Sequence, residues 1–206
     1  MSERYFIPSQ PLYRVEELIK RSRFITTIAH AASADEAKSF VNDRKAEFPD
    51  ATHNCWAYAV GSPGDTAQVG FSDDGEPHGT AGRPMLHALL HNNVGELAVV
   101  VTRYFGGIKL GAGGLVRAYS GAVANALSTL PVQEKIIPVK VRLQLEYNHI
   151  TQLKRLFAKY EVKVDEEVFS QNAEYVLSMP HEFFDAFNAQ IIELTAGKAL
   201  IEKLQD

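Results

Sequence analysis

The 206-residue sequence predicts an α+β chain built as two domains. Three observations carry that expectation. Strand-like alternation sets in after residue 138: Val139, Val141, Leu143 and Leu145 share one face, while Lys140, Arg142, Gln144 and Glu146 share the other. Segments with helical spacing separate such strands on both sides of that point. Glycine usage also divides the chain, with 13 of its 14 glycines between Gly61 and Gly121. Between the two styles lies Pro131-Val-Gln-Glu-Lys-Ile-Ile-Pro138, bounded by prolines and without helical periodicity. We read residues 133–138 as a linker between domains at 1–132 and 139–206.

The first domain opens with a hairpin. Tyr13 to Leu18 and Arg23 to His30 are its strands, joined near Lys20-Arg21-Ser22. Ser33-Ala-Asp-Glu36 is a capping box, which starts a helix running to Glu47 with Ala37, Phe40 and Val41 on its apolar stripe. A strand follows from His53 to Val60, then a Gly/Asp/Pro-rich loop over 61–79. Thr80 to His91 reads as a helix with Met85, Leu86, Leu89 and Leu90 facing the core. The apolar run Leu97 to Val101 is a strand. It ends in Arg103-Tyr104-Phe105 and meets five glycines within nine residues: Gly106, Gly107, Gly111, Gly113 and Gly114. A helix opens at Leu115 and runs to about Leu130.

The second domain reads βαββα with a last strand over 198–204. Its strands are Val139 to Tyr147, Val162 to Phe169 and Ala173 to Met179. Helix 149–159 carries Ile150, Leu153, Leu156 and Phe157. A second helix, from Glu182 to Leu194, carries Phe183, Phe184, Phe187 and Ile191. This order is that of a ferredoxin-like sheet with helices on one face.

Composition narrows the function classes. Hydrophobic content of 46% with 22% charge is that of a soluble globular protein. The net charge of −4 excludes a wholly basic nucleic-acid binder and leaves room for a local basic face. Residues 1–132 hold 12 basic and 13 acidic side chains, and 133–206 hold 9 and 12, so any such face is local. The single cysteine, Cys55, excludes an intramolecular disulfide and suits a reducing compartment. The first residues, MSERYFIPSQPLYR, do not read as a signal peptide, and no apolar run has the length of a membrane span. A cytoplasmic protein without cofactor or metal is the expectation.

Four features could carry chemistry. The glycine loop, leading from a strand into a helix N-terminus, can cradle an anion with backbone N–H groups, aided by Lys109 and Arg117. Its alternative is close packing, with Gly113, Gly114 and Gly121 letting the helix approach the sheet. It matches no nucleotide fingerprint. Asp73, Asp74, Glu76 and His78, in Phe71-Ser-Asp-Asp-Gly-Glu-Pro-His78, offer oxygen ligands or acid–base groups, against an acidic turn that favours the next helix dipole. His53 and Cys55 share a strand face, but a lone cysteine is more often a small buried hydrophobe. Lys20, Arg21, Arg23, Arg83, Arg103, Lys109 and Arg117, near Trp56, Tyr58, Tyr104 and Tyr119, match RNA contact by phosphate pairing and stacking.

Five separate motifs resemble the IMPACT/YigZ family: Lys20-Arg-Ser-Arg-Phe-Ile25, His53-Asn-Cys-Trp56, Phe71-Ser-Asp-Asp-Gly-Glu-Pro77, Gly79-Thr-Ala-Gly82 and Arg103-Tyr-Phe-Gly-Gly107 with Leu110-Gly111 and Gly113-Gly-Leu-Val116. The resemblance covers the whole chain. It implies a first domain with the fold of the second domain of small-subunit ribosomal protein five, shared with domain four of elongation factor G. It implies a second domain like the ferredoxin-like fifth domain of that factor. It also implies a link to translation, which eukaryotic IMPACT proteins regulate under amino-acid stress. It supplies no catalytic residues.

The expected function is therefore a non-enzymatic binding protein that contacts RNA, the ribosome or a translation factor. The expected face comprises Lys20, Arg21, Arg23, Arg103, Tyr104, Gly106, Gly107, Lys109, Gly113, Gly114 and Arg117. The competing expectation is an enzyme of a small phosphorylated or peptide substrate, using the glycine loop with Asp73, Asp74, Glu76 and His78.

Overall fold

The computed structural model describes residues 4–204, which fall into two compact units, one up to Lys135 and one from Ile136 onward. The first contains β1 (Arg4–Pro8), β2 (Tyr13–Ile19), β3 (Ser22–His30), α1 (Ala34–Glu47), β4 (His53–Val60), β5 (Gln68–Ser72), α2 (Gly82–Leu90), β6 (Leu97–Tyr104) and α3 (Ala112–Ser128). Strand β7 (Val132–Ile136) pairs with β1 in a small two-stranded sheet. The segment expected as a linker over 133–138 is therefore mostly strand. Five residues between two prolines showed too little alternation to be recognised as such.

The main sheet has the order β2-β3-β6-β4-β5, with every neighbouring pair antiparallel. Helices α2 and α3 cover one face and α1 the other. Strand β6 is the central member, so both of its faces are covered and it reads as an unbroken apolar run. Side-chain alternation along β4 divides the core. Cys55 and Ala57 pack with Phe24, Met85 and Tyr119 under α2 and α3, while Tyr58 and Val60 pack with Ala37 under α1. The cap at Ser33 forms, with a shifted return bond: Ser33 Oγ accepts from Glu36 N at 3.2 Å, and Glu36 Oε2 accepts at 2.9 Å from Ala32 N, one residue before the N-cap.

The loop expected over 61–79 contains β5. Its Gly70 sits opposite Tyr58, and a Cβ there would lie 2.5 Å from the Tyr58 ring. The glycine breaks the alternation that marks a strand, which is why β5 was not legible. Glu96 enters β6 buried and with φ 54°. Tyr5 OH donates to it at 2.8 Å, His30 Nε2 lies 2.5 Å away, and Lys135 Nζ also pairs with it. Burial pushes the Glu96 carboxyl up, but these partners outweigh it and hold the carboxyl below its usual range. Through Tyr5 and Lys135, this carboxylate ties β1 and β7 to the main sheet.

The second unit contains β8 (Pro138–Leu145), α4 (Ile150–Lys159), β9 (Lys163–Phe169), β10 (Ala173–Pro180), α5 (His181–Thr195) and β11 (Leu200–Lys203). Its sheet order is β11-β8-β10-β9, all antiparallel, which is the ferredoxin-like arrangement. The alternating residues Val139, Val141, Leu143 and Leu145 are buried, with Leu153, Phe184, Phe187 and Ile191 from the two helices in the same core.

Candidate nucleic-acid interface

The tip of the β2–β3 hairpin is the two-residue turn Lys20-Arg21, with φ of 46° and 69°. Positive φ at both central residues is the type I′ pattern, which matches strand twist and normally takes Asn-Gly. Holding two side-chain-bearing residues there costs roughly 1–2 kcal/mol each. Both side chains are exposed. Gly106 seats directly against this turn. A Cβ on it would lie 1.9 Å from the Arg21 carbonyl oxygen and 2.6 Å from Ser22 N. Its N–H donates to Ser22 Oγ at 3.3 Å. The hairpin tip and the start of the glycine loop are thereby one surface.

The remaining glycines do different work. Gly107 and Gly111 have φ of 85° and 76°, and an added Cβ on either would meet nothing within 4 Å. Gly113 and Gly121 have open space as well, so close packing against the sheet does not explain them; Gly114 approaches only Leu110 Cβ, at 3.1 Å. Helix α3 starts at Ala112 without a side-chain cap at Gly111 and without an acidic residue in its first turn. Among the described residues, its first backbone N–H groups have no side-chain acceptor.

The basic residues divide into two groups. Lys20, Arg21, Lys109 and Arg117 are exposed and make no ion pair among the described residues. Arg23 is held by Glu16 through Nε at 2.6 Å and Nη2 at 2.8 Å, and its guanidinium lies 5.6 Å from the Tyr104 ring centre. The Tyr104 hydroxyl donates to Asp50 at 2.9 Å.

Arg103 is only 5% exposed, which removes it from the expected contact face. Strand register sets it between Phe24 and His53. Its Nη1 donates to Glu76 Oε1 at 2.6 Å and its Nη2 to Ser22 Oγ at 3.3 Å. Glu76, also buried, accepts from Tyr119 OH at 2.7 Å on the same oxygen. An arginine at the end of an apolar strand looked surface-bound in the sequence. Its carboxylate partner comes from a loop 27 residues away, and no local pattern reveals that pairing.

This ion pair underlies an open cavity of about 450 Å³ beside the glycine loop. Pro77, Phe105, Leu110 and Leu115 form apolar walls, and Lys109, Gly111 and Ala112 bring the loop and the α3 N-terminus to it. His53 lies in the same lining, with Nδ1 2.8 Å from the Asp74 carbonyl oxygen and Nε2 3.8 Å from Glu76 Oε2. The sequence had offered His53 as a partner for Cys55; the structure brings it to Glu76.

The acidic loop does not assemble a shared site. Asp73 accepts from the backbone N–H groups of Gly79, Ala81 and Gly82 at 2.8, 3.0 and 2.8 Å, capping the start of α2. Burial pushes its carboxyl up, and these three donors outweigh that and hold it below its usual range. Asp74 accepts from Lys45 Nζ at 2.5 Å and Asn54 N at 2.7 Å. The His78 side chain is fully exposed. Of the four, only Glu76 lines the cavity. Among the described residues no group of three or more His, Cys, Asp or Glu side chains could hold a metal ion. Cys55 is buried and its Sγ donates to the Asp73 carbonyl at 2.9 Å. Burial pushes its thiol up to about 12, so it is a core residue rather than a nucleophile.

Residues 20–127 match the family model described as the Impact N-terminal domain, and residues 143–198 match a second, described as a domain of unknown function, DUF1949. The chain belongs to the IMPACT family. It is 41% identical over 204 residues to the IMPACT family member YigZ of Escherichia coli, covering 99% of this chain and 100% of that protein. It is 40% identical over 201 residues to an IMPACT family member of Haemophilus influenzae, covering 98% and 97%. A protein IMPACT homolog of Dictyostelium discoideum is 35% identical over 94 residues, which is 45% of this chain and 27% of that one. A solved structure described as a crystal structure of an hypothetical protein aligns over 100% of both chains at 40% identity, with a TM-score of 0.69. Among the described residues, no helix is long and apolar enough to cross a membrane.

Proposed function

We propose that this protein is a non-enzymatic binding module of the translation apparatus that grips RNA by its phosphate backbone. The observation that carries the proposal is the docking of the Lys20-Arg21 turn onto Gly106. That docking makes the hairpin tip continuous with a glycine loop carrying exposed Lys109 and leading into an uncapped helix N-terminus. Lys20, Arg21, Lys109 and Arg117 have no carboxylates competing for them among the described residues, unlike Arg23, which Glu16 occupies. Gly107, Gly113 and Gly114 offer backbone N–H groups to an oxyanion, while that of Gly106 is taken by Ser22 Oγ. Arg103 acts from beneath, as the brace that holds Glu76, and Tyr104 holds the side of the hairpin through Arg23. With a net charge of −4, attraction to phosphate has to come from a local cluster of cations rather than from the whole surface.

The test is RNA binding by fluorescence anisotropy across a salt series. Saturable binding that weakens with salt is expected, with a slope reduced by about 0.7 for each lost single-strand phosphate contact. The K20E/R21E and K109E variants are expected to lower both affinity and slope. Binding that is absent, or that ignores salt, refutes the proposal.

A further inference from the structure

We infer that the cavity beside the glycine loop receives the base of an unpaired nucleotide bearing an exocyclic amino group, its phosphate at the basic rim. This deepens the RNA reading and rests on it for the rim contacts. The cavity itself stands on separate observations.

Burial orders the lining by depth. Phe105 is 46% exposed and Lys109 is exposed, so they form the rim, while Glu76 is buried and His53 partly so. One acceptor of the lining lacks a donor, and Arg103 Nε, a buried donor, lacks an acceptor. Glu76 Oε1 is satisfied by Arg103 and Tyr119, but Oε2 accepts no hydrogen bond among the described residues, although the Glu76 side chain is only 3% exposed. Oε2 is not fully buried, so a donor entering the cavity can reach it. His53 Nδ1 faces the Asp74 carbonyl, which can only accept, so Nδ1 carries a proton. Nε2 and Oε2 are 3.8 Å apart, too far to bond each other. An unfilled carboxylate oxygen at the floor suits a ligand that brings an N–H donor, such as an exocyclic amino group.

The walls select what carries that group. Pro77, Phe105, Leu110 and Leu115 suit a flat apolar body, with Phe105 as a stacking surface. A lysine or arginine from a protein partner would also supply donors, but it would have to pass Lys109 and settle beside Arg103. A nucleotide reverses that electrostatics, because its phosphate meets Lys109 and the α3 N-terminus. Adenine, cytosine and guanine present an amino group, whereas uracil presents a carbonyl oxygen where cytosine has its NH₂. Duplex RNA has its amino groups already paired and its bases stacked. A free nucleotide and an unpaired nucleotide within RNA share this chemistry.

The test uses the full chain and the near-isosteric pair C10 and U10, with a C10·G10 duplex and the mononucleotides CMP and UMP. Expected are roughly tenfold tighter binding of C10 than U10, weaker binding of the duplex, and CMP binding above UMP. Phe105→Ala, at an exposed position, is expected to weaken C10 roughly tenfold. Equal, salt-sensitive binding of C10 and U10 overturns the cavity inference and leaves the phosphate reading standing. CMP binding with no oligonucleotide binding supports the cavity and overturns the RNA reading. Binding of none of these probes overturns both.

Discussion

Replacing Arg103 with Met keeps an unbranched, flexible side chain, shorter than arginine's, and removes its charge. Glu76 Oε1 would then retain only the Tyr119 hydroxyl, and Ser22 Oγ would lose the Nη2 donor while keeping Gly106 N. The carboxylate would be left buried without its cation. Breaking a buried pair from one side costs about 3–5 kcal/mol. With a urea dependence of about 2 kcal/mol per M, a loss of about 4 kcal/mol lowers the unfolding midpoint by about 2 M. Trp56 reports this cleanly, because it is the chain's one tryptophan and lies half-buried in β4, stacked on Tyr58 at 5.9 Å. The double variant R103M/E76M should recover most of the loss, since apolar replacement of both partners removes the stranded charge. Arg103→Met should leave the salt slope of RNA binding unchanged. A midpoint shift below about 0.3 M together with a reduced salt slope would refute the brace and return Arg103 to the contact face.

Two glycines of the loop should respond oppositely to alanine in thermal melts: Gly106→Ala should destabilise by about 1–3 kcal/mol, because the clashing atoms belong to the Arg21 and Ser22 backbone. Gly113→Ala should stabilise by about 0.5–1 kcal/mol, because it lies within α3 with open space around it. Cys55 should resist thiol reagents in the native protein at pH 8, where a pKa of about 12 leaves roughly one thiolate in 10⁴, and should react fully in denaturant. Asp73→Ala should lower the stability of the first unit by about 0.5–2 kcal/mol through loss of the α2 cap. Because the Asp73 carboxyl is held low in the folded state, its contribution is present above the unfolded-chain value of about 3.9 and is lost as pH falls through the folded value. The stability of the variant should therefore fall less steeply than the parent's in acid.

The long periodic elements were legible because one-sided burial imposes a period on the chain. The Ala34–Glu47 helix and the Val139–Leu145 alternation are of this kind, as is the helix spacing of Phe184, Phe187 and Ile191. Strands β1, β5 and β7 were not legible. Each has five residues, and β5 contains a glycine that serves the Tyr58 ring rather than the strand pattern. Asp73 was readable as an acidic group favouring the next helix, which is what its three backbone contacts make it.

The candidate site divides along the same line. The glycine loop, the basic hairpin and the acidic turn were visible as local residue patterns, and together they were enough to mark the family. The distinction between Lys20 and Arg21 as unpaired and Arg23 and Arg103 as occupied was not visible. It depends on carboxylates that cross-strand register or a distant loop brings within 3 Å, Glu16 for one and Glu76 for the other. The meeting of His53, Glu76 and Phe105 at one cavity likewise depends on three segments separated in the chain. Sequence by itself determined the two-domain α+β class, the periodic elements and the chemistry available, because burial and turn geometry act over a few residues. Tertiary structure alone decided which charges are satisfied and which remain free for a partner, because ion pairing and desolvation depend on distances across the fold.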